Sequence, residues 1–392
     1  MKEYIVFYEN IFLRFSLDKL GLCVQKLENN RFSEKQILLS NAKEDFCALA
    51  DDAVHIVCQS ESGSIIYLTF DGKTWRKTVL LESKEGRAYR KYFSLIKLGN
   101  LVNLFYTINH EDKTLLIHQI LDGTYSEPEV VDFVTPCGVR FCISEHVSTD
   151  VSITYKNQNG VCGSKVYRWS KKSFMQFVPF TENTDFEPHF INITDHGTQL
   201  IGVSDTGNEK KIVFYAKNEL GESVKNELAS GNEDFNPVFF TYRGKTVAQW
   251  YDRGCVMAAT SEDDGKSFST PVKYIKNAYS DISLFELCSP RQKCLCYGLK
   301  KGNSITFYSA KDILSEMKNE KKKVKSVLSG NDAAQFAAKS GYKKTNGWDD
   351  DPYVTQKELK YEIEKLQKML DDCRNRVEKI EKMGKNDEKE IL

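Results

Sequence analysis

Apolar and polar positions alternate with a period of two over most of the first three hundred residues, in short bursts. Runs such as Val54-His55-Ile56-Val57-Cys58 and Ile65-Ile66-Tyr67-Leu68-Thr69-Phe70 are rich in β-branched and aromatic residues. Gly, Asn, Asp and Ser bound them, which is the pattern of strands between turns. The bursts also recur. Phenylalanines open successive runs at Phe46, Phe93, Phe141, Phe190, Phe239 and Phe285, at steps of 47, 48, 49, 49 and 46 residues. In one unit Phe46–Ala50 turns at Asp51-Asp52 into Val54–Cys58, then Ile65–Phe70, then past Asp71-Gly72 into Trp75–Leu81. The next unit reads Phe93–Leu98, Val102–Ile108, Leu115–Ile120 and Glu127–Val131. Four short strands at this period predict the blade of a β-propeller.

Two neighbouring units share spelling ahead of their first strand. Asn183-Thr184-Asp185-Phe186-Glu187-Pro188-His189-Phe190 returns 49 residues later as Asn232-Glu233-Asp234-Phe235-Asn236-Pro237-Val238-Phe239. A further unit fits Tyr4–Ser40, with runs at Ile5–Tyr8, Ile11–Phe15, Leu22–Leu27 and Lys35–Leu39. The unit that begins at Phe285 offers only three runs, ending near Ile305–Ser309. Because a propeller must close its ring, Tyr4–Tyr8 is expected to complete that last blade. The expected fold is all-β: a propeller of about seven four-stranded blades over residues 1–312, with six as the nearest alternative.

Beyond Ser309 the pattern changes. Lys318-Asn319-Glu320-Lys321-Lys322-Lys323-Val324-Lys325 is basic, and Gly330, Gly341, Asn346-Gly347 and Asp349-Asp350-Asp351-Pro352 follow. Residues 313–354 read as a flexible basic linker. The lysines are diluted by Glu316 and Glu320, so a solvated face is the simpler reading than an anionic partner. Over 355–384 the period becomes helical: Leu359, Ile363, Leu366, Leu370, Cys373, Val377 and Ile380 alternate by four and three. That is a coiled-coil seam, predicting a homo-oligomer, dimer or trimer; a lone helix docked on the propeller is the alternative. Residues 385–392 read as a disordered tail.

Composition sharpens this picture by exclusion. The 55 basic and 55 acidic residues cancel, which argues against nucleic acid as a partner. No apolar run is long enough to span a bilayer, and Met1–Phe7 is too short and charged for a secretory signal. The 11 cysteines sit mostly inside apolar strand-like runs, as buried free thiols of a reducing compartment would. A cytoplasmic location is therefore expected.

Ser261-Glu262-Asp263-Asp264-Gly265-Lys266-Ser267-Phe268 resembles an Asp-box, the turn motif of the sialidase-like (BNR repeat) propellers. In it, Ser261, Asp263, Gly265, Ser267 and Phe268 have structural roles: the Asp accepts hydrogen bonds across the turn, the Gly takes positive φ, and the aromatic packs into the blade. Worn copies stand at Gly72-Lys73-Thr74-Trp75, with Leu68 and Phe70 where Ser and Asp belong, and at Asp122-Gly123-Thr124-Tyr125. The resemblance implies the fold, and glycoside cleavage only if the family's arginine triad is present. Its Arg-Ile-Pro or Arg-Leu-Pro signature is absent: Arg140 is followed by Phe141-Cys142, and Arg243 and Arg253 by Gly. No catalytic residue carries over.

Other candidates are weaker. Asp45, Asp185, Asp234 and Asp281 recur at the starts of first strands, where they would ring one face of a propeller; carboxylates act there in some glycosidases, but turn capping is the simpler role. His189 and Tyr251-Asp252-Arg253 depart from the repeat, and departures on a regular scaffold attract function. Asp185, Asp234, Asp281, His189, Asp252 and Arg253 are thus the candidate binding residues, with a surface turn and its local ion pair as the bland account of the last two. The six histidines show no metal-ligand spacing, and Cys288, Cys294 and Cys296 lack further partners, so no metal or cofactor is expected. The leading expectation is a non-enzymatic scaffold whose propeller recognises a protein or glycan and whose coiled coil multiplies the contact. A glycoside hydrolase or lyase is one alternative; an assembly subunit acting through its C-terminal tail is another.

Overall fold

The computed structural model describes residues 2–308, apart from breaks at 29–30, 112, 122–125, 136–139, 146–149, 182–184, 195–196, 219–220, 277–280 and 290–291, together with Ile313 and Leu314. The chain divides into two units, Met1–Leu328 and Ser329–Leu392. The rest of the linker, the seam helix, the tail and the turn Asp122–Tyr125 lie outside the described residues.

The strands follow the repeat. They are β1 (Lys2–Tyr8), β2 (Ile11–Asp18), β3 (Gly21–Glu28), β4 (Arg31–Phe32) and β5 (Gln36–Ser40), then β6 (Lys43–Ala50), β7 (Val54–Gln59), β8 (Ile65–Phe70) and β9 (Trp75–Leu81). Next come β10 (Phe93–Leu98), β11 (Leu101–His110), β12 (Lys113–Leu121) and β13 (Glu129–Val134). The middle of the chain gives β14 (Cys142–Glu145), β15 (Val151–Lys156), β16 (Cys162–Arg168), β17 (Ser173–Phe174) and β18 (Val178–Thr181). β19 (Phe186–Thr194), β20 (Gly197–Asp205), β21 (Lys210–Lys217) and β22 (Ser223–Gly231) follow. The series ends with β23 (Val238–Tyr242), β24 (Lys245–Asp252), β25 (Cys255–Ser261), β26 (Val272–Lys276), β27 (Asp281–Ser289), β28 (Gln292–Lys301) and β29 (Ser304–Phe307).

Four of the sheets are four-stranded antiparallel meanders, β6–β9, β10–β13, β19–β22 and β23–β26, and a fifth holds β14–β18. The sixth, of eight strands, joins β1–β5 to β27–β29. First strands stand side by side: β1 next to β6 and β27, β6 next to β10, β14 next to β19, and β19 next to β23. Sheets arranged radially with their first strands innermost make a β-propeller.

One device recurs in the fourth strand. Pairing with the third strand shifts register once in each sheet, at Leu22/Cys23, Ile65/Ile66, Leu116/Ile117, Cys162/Gly163, Ile212/Val213 and Val256/Met257. The residue left unpaired is large and apolar every time: Leu38, Leu80, Val131, Phe180, Leu228 and Tyr274. A bulge sets two residues against one and bends the strand. Here the extra side chain packs into the core shared with the following sheet: Val131 with Val151 and Ile153, Phe180 with Phe186 and Ile191, Leu228 with Phe235 and Phe239.

The ring closes differently from the sequence expectation. β1 does join the sheet of β27–β29, but as a parallel neighbour of β27 at the inner edge, from Lys2↔Leu284 to Val6↔Cys288. It is also the first strand of its own meander, paired with β2. It therefore cannot fill the outer position of the last blade, where the described sheet ends at β29. Side chains reinforce the seam. Buried Glu3 accepts from Arg14 Nε and from Lys300 Nζ, at 2.8 and 2.7 Å. Phe32, on the two-residue strand β4, reaches across and buries with Ile5 and Phe285, while its N–H donates to the Asn303 carbonyl.

Candidate functional site

The residue directly before each repeating Phe sits on the innermost strand or just ahead of it. In successive units that column reads Asp45, Tyr92, Arg140, His189, Val238 and Leu284. Four polar groups in a row, inside a ring of sheets, form the candidate site. Arg140 Nη1 donates to His189 Nδ1 at 2.9 Å, and Arg140 Nε lies 4.0 Å from Glu187 Oε1. Because Nδ1 accepts, the imidazole proton sits on Nε2. Burial, and then the Arg140 charge, hold the His189 pKa well below its ordinary value. His189 is thus a neutral ring with one N–H to give.

Tyr92 stands beside this pair. Its buried hydroxyl makes no hydrogen bond of good geometry. Burial raises its pKa, and the neighbouring Arg140 and Arg90 oppose that rise. Arg90 also lies over the Tyr92 ring, 5.2 Å from its centroid. The Arg140 charge further reaches Asp45, Asp234 and Tyr297, side chains of three other strand groups.

Lys2, Glu286 and Asp45 make a second cluster. Lys2 Nζ and Glu286 Oε2 are 2.8 Å apart, and the side chains keep 31% and 15% of their surface exposed. They are deeply set yet in reach of water. Burial works to lower the Lys2 pKa, but Glu286 and Asp45 prevail and raise it. Burial raises that of Asp45, against Lys2 and the amides of Phe46 and Phe93, from which its carboxylate accepts hydrogen bonds. Since those amides belong to adjacent sheets, Asp45 also staples β6 to the start of β10.

The other acidic candidates take no part in the hydrogen-bonded cluster, although the Arg140 and Arg90 charges still reach Asp234. Asp185 is exposed in the turn leading into β19, and Asp281 is exposed at the start of β27. Exposed Asp234 pairs with Lys210, whose hydrogen bond and charge lower its pKa. Asp252 and Arg253 form a 3.5 Å ion pair at the β24–β25 hairpin. Arg253 (φ 44°) and Gly254 (φ 78°) both take left-handed backbone there, as a tight hairpin turn requires.

Within the turn after β25, Asp263 accepts from the Ser267 N–H (2.9 Å), the Ser267 hydroxyl (2.6 Å) and the Ser261 hydroxyl (2.7 Å). The Ser267 hydroxyl bond leads the causes that pull the Asp263 pKa down to about 2. Gly265 has φ +88°, and Phe268 packs on Phe214 of the preceding sheet. The corresponding turn at Gly72 uses Asp71, one place later than expected, which accepts from the Lys73 and Thr74 amides.

Reasoning from sequence missed Tyr92, Arg140, Lys2 and Glu286. Arg140 lacks the arginine signature of the sialidase-like family, but the column before the repeating Phe carries both Tyr92 and Arg140. Nothing local signals Lys2–Glu286, whose partners are 284 positions apart. Among the described residues no group of His, Cys, Asp and Glu is arranged to hold a metal ion.

The architecture is that of the β-propellers. No protein-family model matches the chain, and no curated protein matches it by sequence. Two solved structures of an ulvan lyase, polysaccharide lyase PL25, are similar in fold. One, bound to -[GlcA(1-4)Rha3S]-, aligns with a TM-score of 0.55 at 9% identity, and the other with 0.56 at 8%. Each alignment covers 79% of this chain and 94% of the lyase. A fungal lectin from Aleuria aurantia, a six-bladed β-propeller that recognises fucose, aligns at 0.42 and 8% identity over 71% of this chain and 97% of its own.

Proposed function

We propose that the propeller is a glycan-binding module whose ligand is held inside the ring by Arg140, His189 and Tyr92. The carrying observation is the Arg140–His189 hydrogen bond, which leaves a neutral imidazole N–H, the other guanidinium N–H groups and a phenol close together. A donor-rich, recessed but wetted site suits the oxygen acceptors of a sugar. The same bond weighs against catalysis, because it occupies the lone pair with which His189 would act as a base. An Arg140→Ala variant, screened beside the intact protein on neutral and acidic oligosaccharides, should lose at least tenfold in affinity while Asp252→Ala binds normally. Equal binding by Arg140→Ala and the intact protein would remove the site.

Elimination is a second reading, and the buried Tyr92 hydroxyl beside Arg140 favours it. A lyase would release an unsaturated sugar from a uronate polymer, and Tyr92→Phe would abolish that ultraviolet signal. No signal from the intact protein on such polymers dismisses this reading.

Finer features belong to the same proposal. We count seven blades, with β1–β5 and β27–β29 as separate ones, and take the turn at Ser261–Phe268 as an Asp-box of sialidase-like kinship. The seam Leu359–Ile380 is taken to join two or three copies, raising avidity for a repeating glycan. A cytoplasmic setting is consistent with the free thiols among the described cysteines.

A further inference from the structure

Of the connections that join a fourth strand to the next first strand, the one from β9 to β10 is the longest. It spans 82–92, where the next longest, from β13 to β14, spans 135–141. This segment is strapped to its neighbours. On the side of the β7–β8 hairpin, Ser83 N–H donates to Ser64 Oγ, Ala88 N–H to the Glu61 carbonyl at 2.8 Å, and Gln59 Nε2 to the Tyr89 carbonyl at 2.7 Å. Gly63 in that hairpin lies so close that a Cβ would come within 2.3 Å of the Arg87 carbonyl oxygen. On the side of β11, the Tyr89 hydroxyl accepts from the Asn109 N–H, and Tyr92 exchanges two hydrogen bonds with Thr107. The strap ends in Tyr92 itself, with Arg90 over its ring.

Lys91 lies beneath the strap. It is 1% exposed, yet among the described residues its ammonium meets one oxygen acceptor, Gln59 Oε1 at 2.9 Å, and the face of the Tyr89 ring, 3.3 Å from the centroid. No described carboxylate is within ion-pair distance; Glu85 of the strap and Glu44 of β6 act on it from farther off, and the adjacent Arg90 is exposed. A buried ammonium held by one neutral acceptor is costly, so the neutral amine gains. Burial accordingly takes the Lys91 pKa down to about 8, against the charges of Glu85 and Glu44. The phenols around the strap, Tyr89, Tyr92 and Tyr106, have pKa values raised by burial and keep their protons where Lys91 loses its own.

We propose, on the reading of Tyr92 as part of the ligand site, that Lys91 makes the strap a proton-sensitive mount for Tyr92 and Arg90, tightened when this amine loses its proton and loosened when it gains one. In an opened strap Lys91 meets water and returns toward its ordinary 10.5, so the open form holds the proton more tightly than the closed one. Closure is therefore favoured as pH rises through 8. Between pH 7 and pH 9 the ratio of closed to open strap grows about tenfold.

Limited trypsin cleavage of the full chain, with no glycan present, tests this. Cleavage after Arg87 and Arg90, measured at each pH against a free peptide of the same sequence, should slow about tenfold from pH 7 to pH 9. Lys91→Met should show no such trend at these two sites. If that variant does not fold, Lys91→Gln, neutral and still able to donate to Gln59, takes its place. A flat profile in the unaltered chain, or the same tenfold fall in the variant, overturns the proposal. Equal glycan binding by Arg140→Ala would remove the ligand site yet leave this profile as it is, so the two failures are told apart.

Discussion

Arg140 matters less as a charge than as the group that decides what His189 can do. It fixes the imidazole proton on Nε2 and adds to burial, the larger cause, in keeping the ring neutral. Replacing Arg140 with Lys should preserve the charge but lose the fixed hydrogen-bond geometry. The expected signature is a titration of His189, followed by its ring resonances, that stays low in Arg140→Lys and moves toward its ordinary value in Arg140→Ala. A second histidine works in the core. His118 lies against Phe105, Tyr167 and Phe174, donates toward Asn103 and is barely exposed; burial takes its pKa down to about 4. The unfolded chain binds that proton from about pH 6.5 downward and the folded one only near 4, so stability falls with pH across that window. Between pH 7 and pH 5 the loss from His118 is about 2 kcal/mol, readable as a fall in the urea midpoint. His118→Gln should flatten it. At Gly265, a Cβ would lie 2.4 Å from the Phe214 ring on a backbone of φ +88°. Gly265→Ala should lower stability by at least about 2 kcal/mol in thermal unfolding, on combined strain and overpacking.

At the level of strands, the repeated bulge explains why alternation alone gives the elements but not their registers. Leu228 and Glu227 are neighbours in sequence, yet one is buried in the joint between two sheets and the other lies in the solvated face. Leu228→Ala should cost about 2–5 kcal/mol and Glu227→Ala almost nothing, a contrast that equilibrium denaturation would show. A period of two predicts neither, because the bulge breaks the alternation where it matters. The phenylalanine period was legible because each such ring lies in a first strand or, for Phe141, directly before one, and the strands of the Phe46 unit fall almost where the alternation puts them. Tyr4–Tyr8 joins the last blade at its inner edge and not as the missing fourth strand that the sequence predicts. Its apolar run fits an inner or an outer strand equally well, and only the parallel register with β27 distinguishes them. Asp185, Asp234 and Asp281 recur with the repeat, and all three are exposed at or just ahead of a first strand. The polar column of Tyr92, Arg140 and His189 was informative because the repeat kept the position and changed the residue.

Considered whole, the propeller is held shut by side chains from its two ends. Glu3 links Arg14 of its own meander to Lys300 of the last, and burial makes both contacts count. Burial opposes ionisation of Glu3, but hydrogen bonds and charge from Arg14 and Lys300 win and lower its pKa. Glu3→Gln leaves Arg14, itself buried, short of its counter-charge, a change that typically costs about 3–5 kcal/mol. Exchange should then quicken in β1 and β27 and leave β10–β13 unchanged; a uniform change across all sheets would mean the seam is not a separate joint. The Phe32 contact with Ile5 and Phe285 belongs to this joint too, and its loss in Phe32→Ala should quicken the same amides.

That seam also sets an order of events during synthesis. β1 leaves the ribosome before its partner β27, with the twenty-five strands between them following it out first. Throughout that interval the nascent chain carries an inner edge with unmet backbone groups, while the intervening meanders can each fold from local contacts. Ring closure therefore has to be the final step, and its rate will depend on how soon residues 281–307 clear the exit tunnel. A pause in translation just before β27 would lengthen the life of that open edge, and with it the chance of pairing with a neighbouring nascent chain.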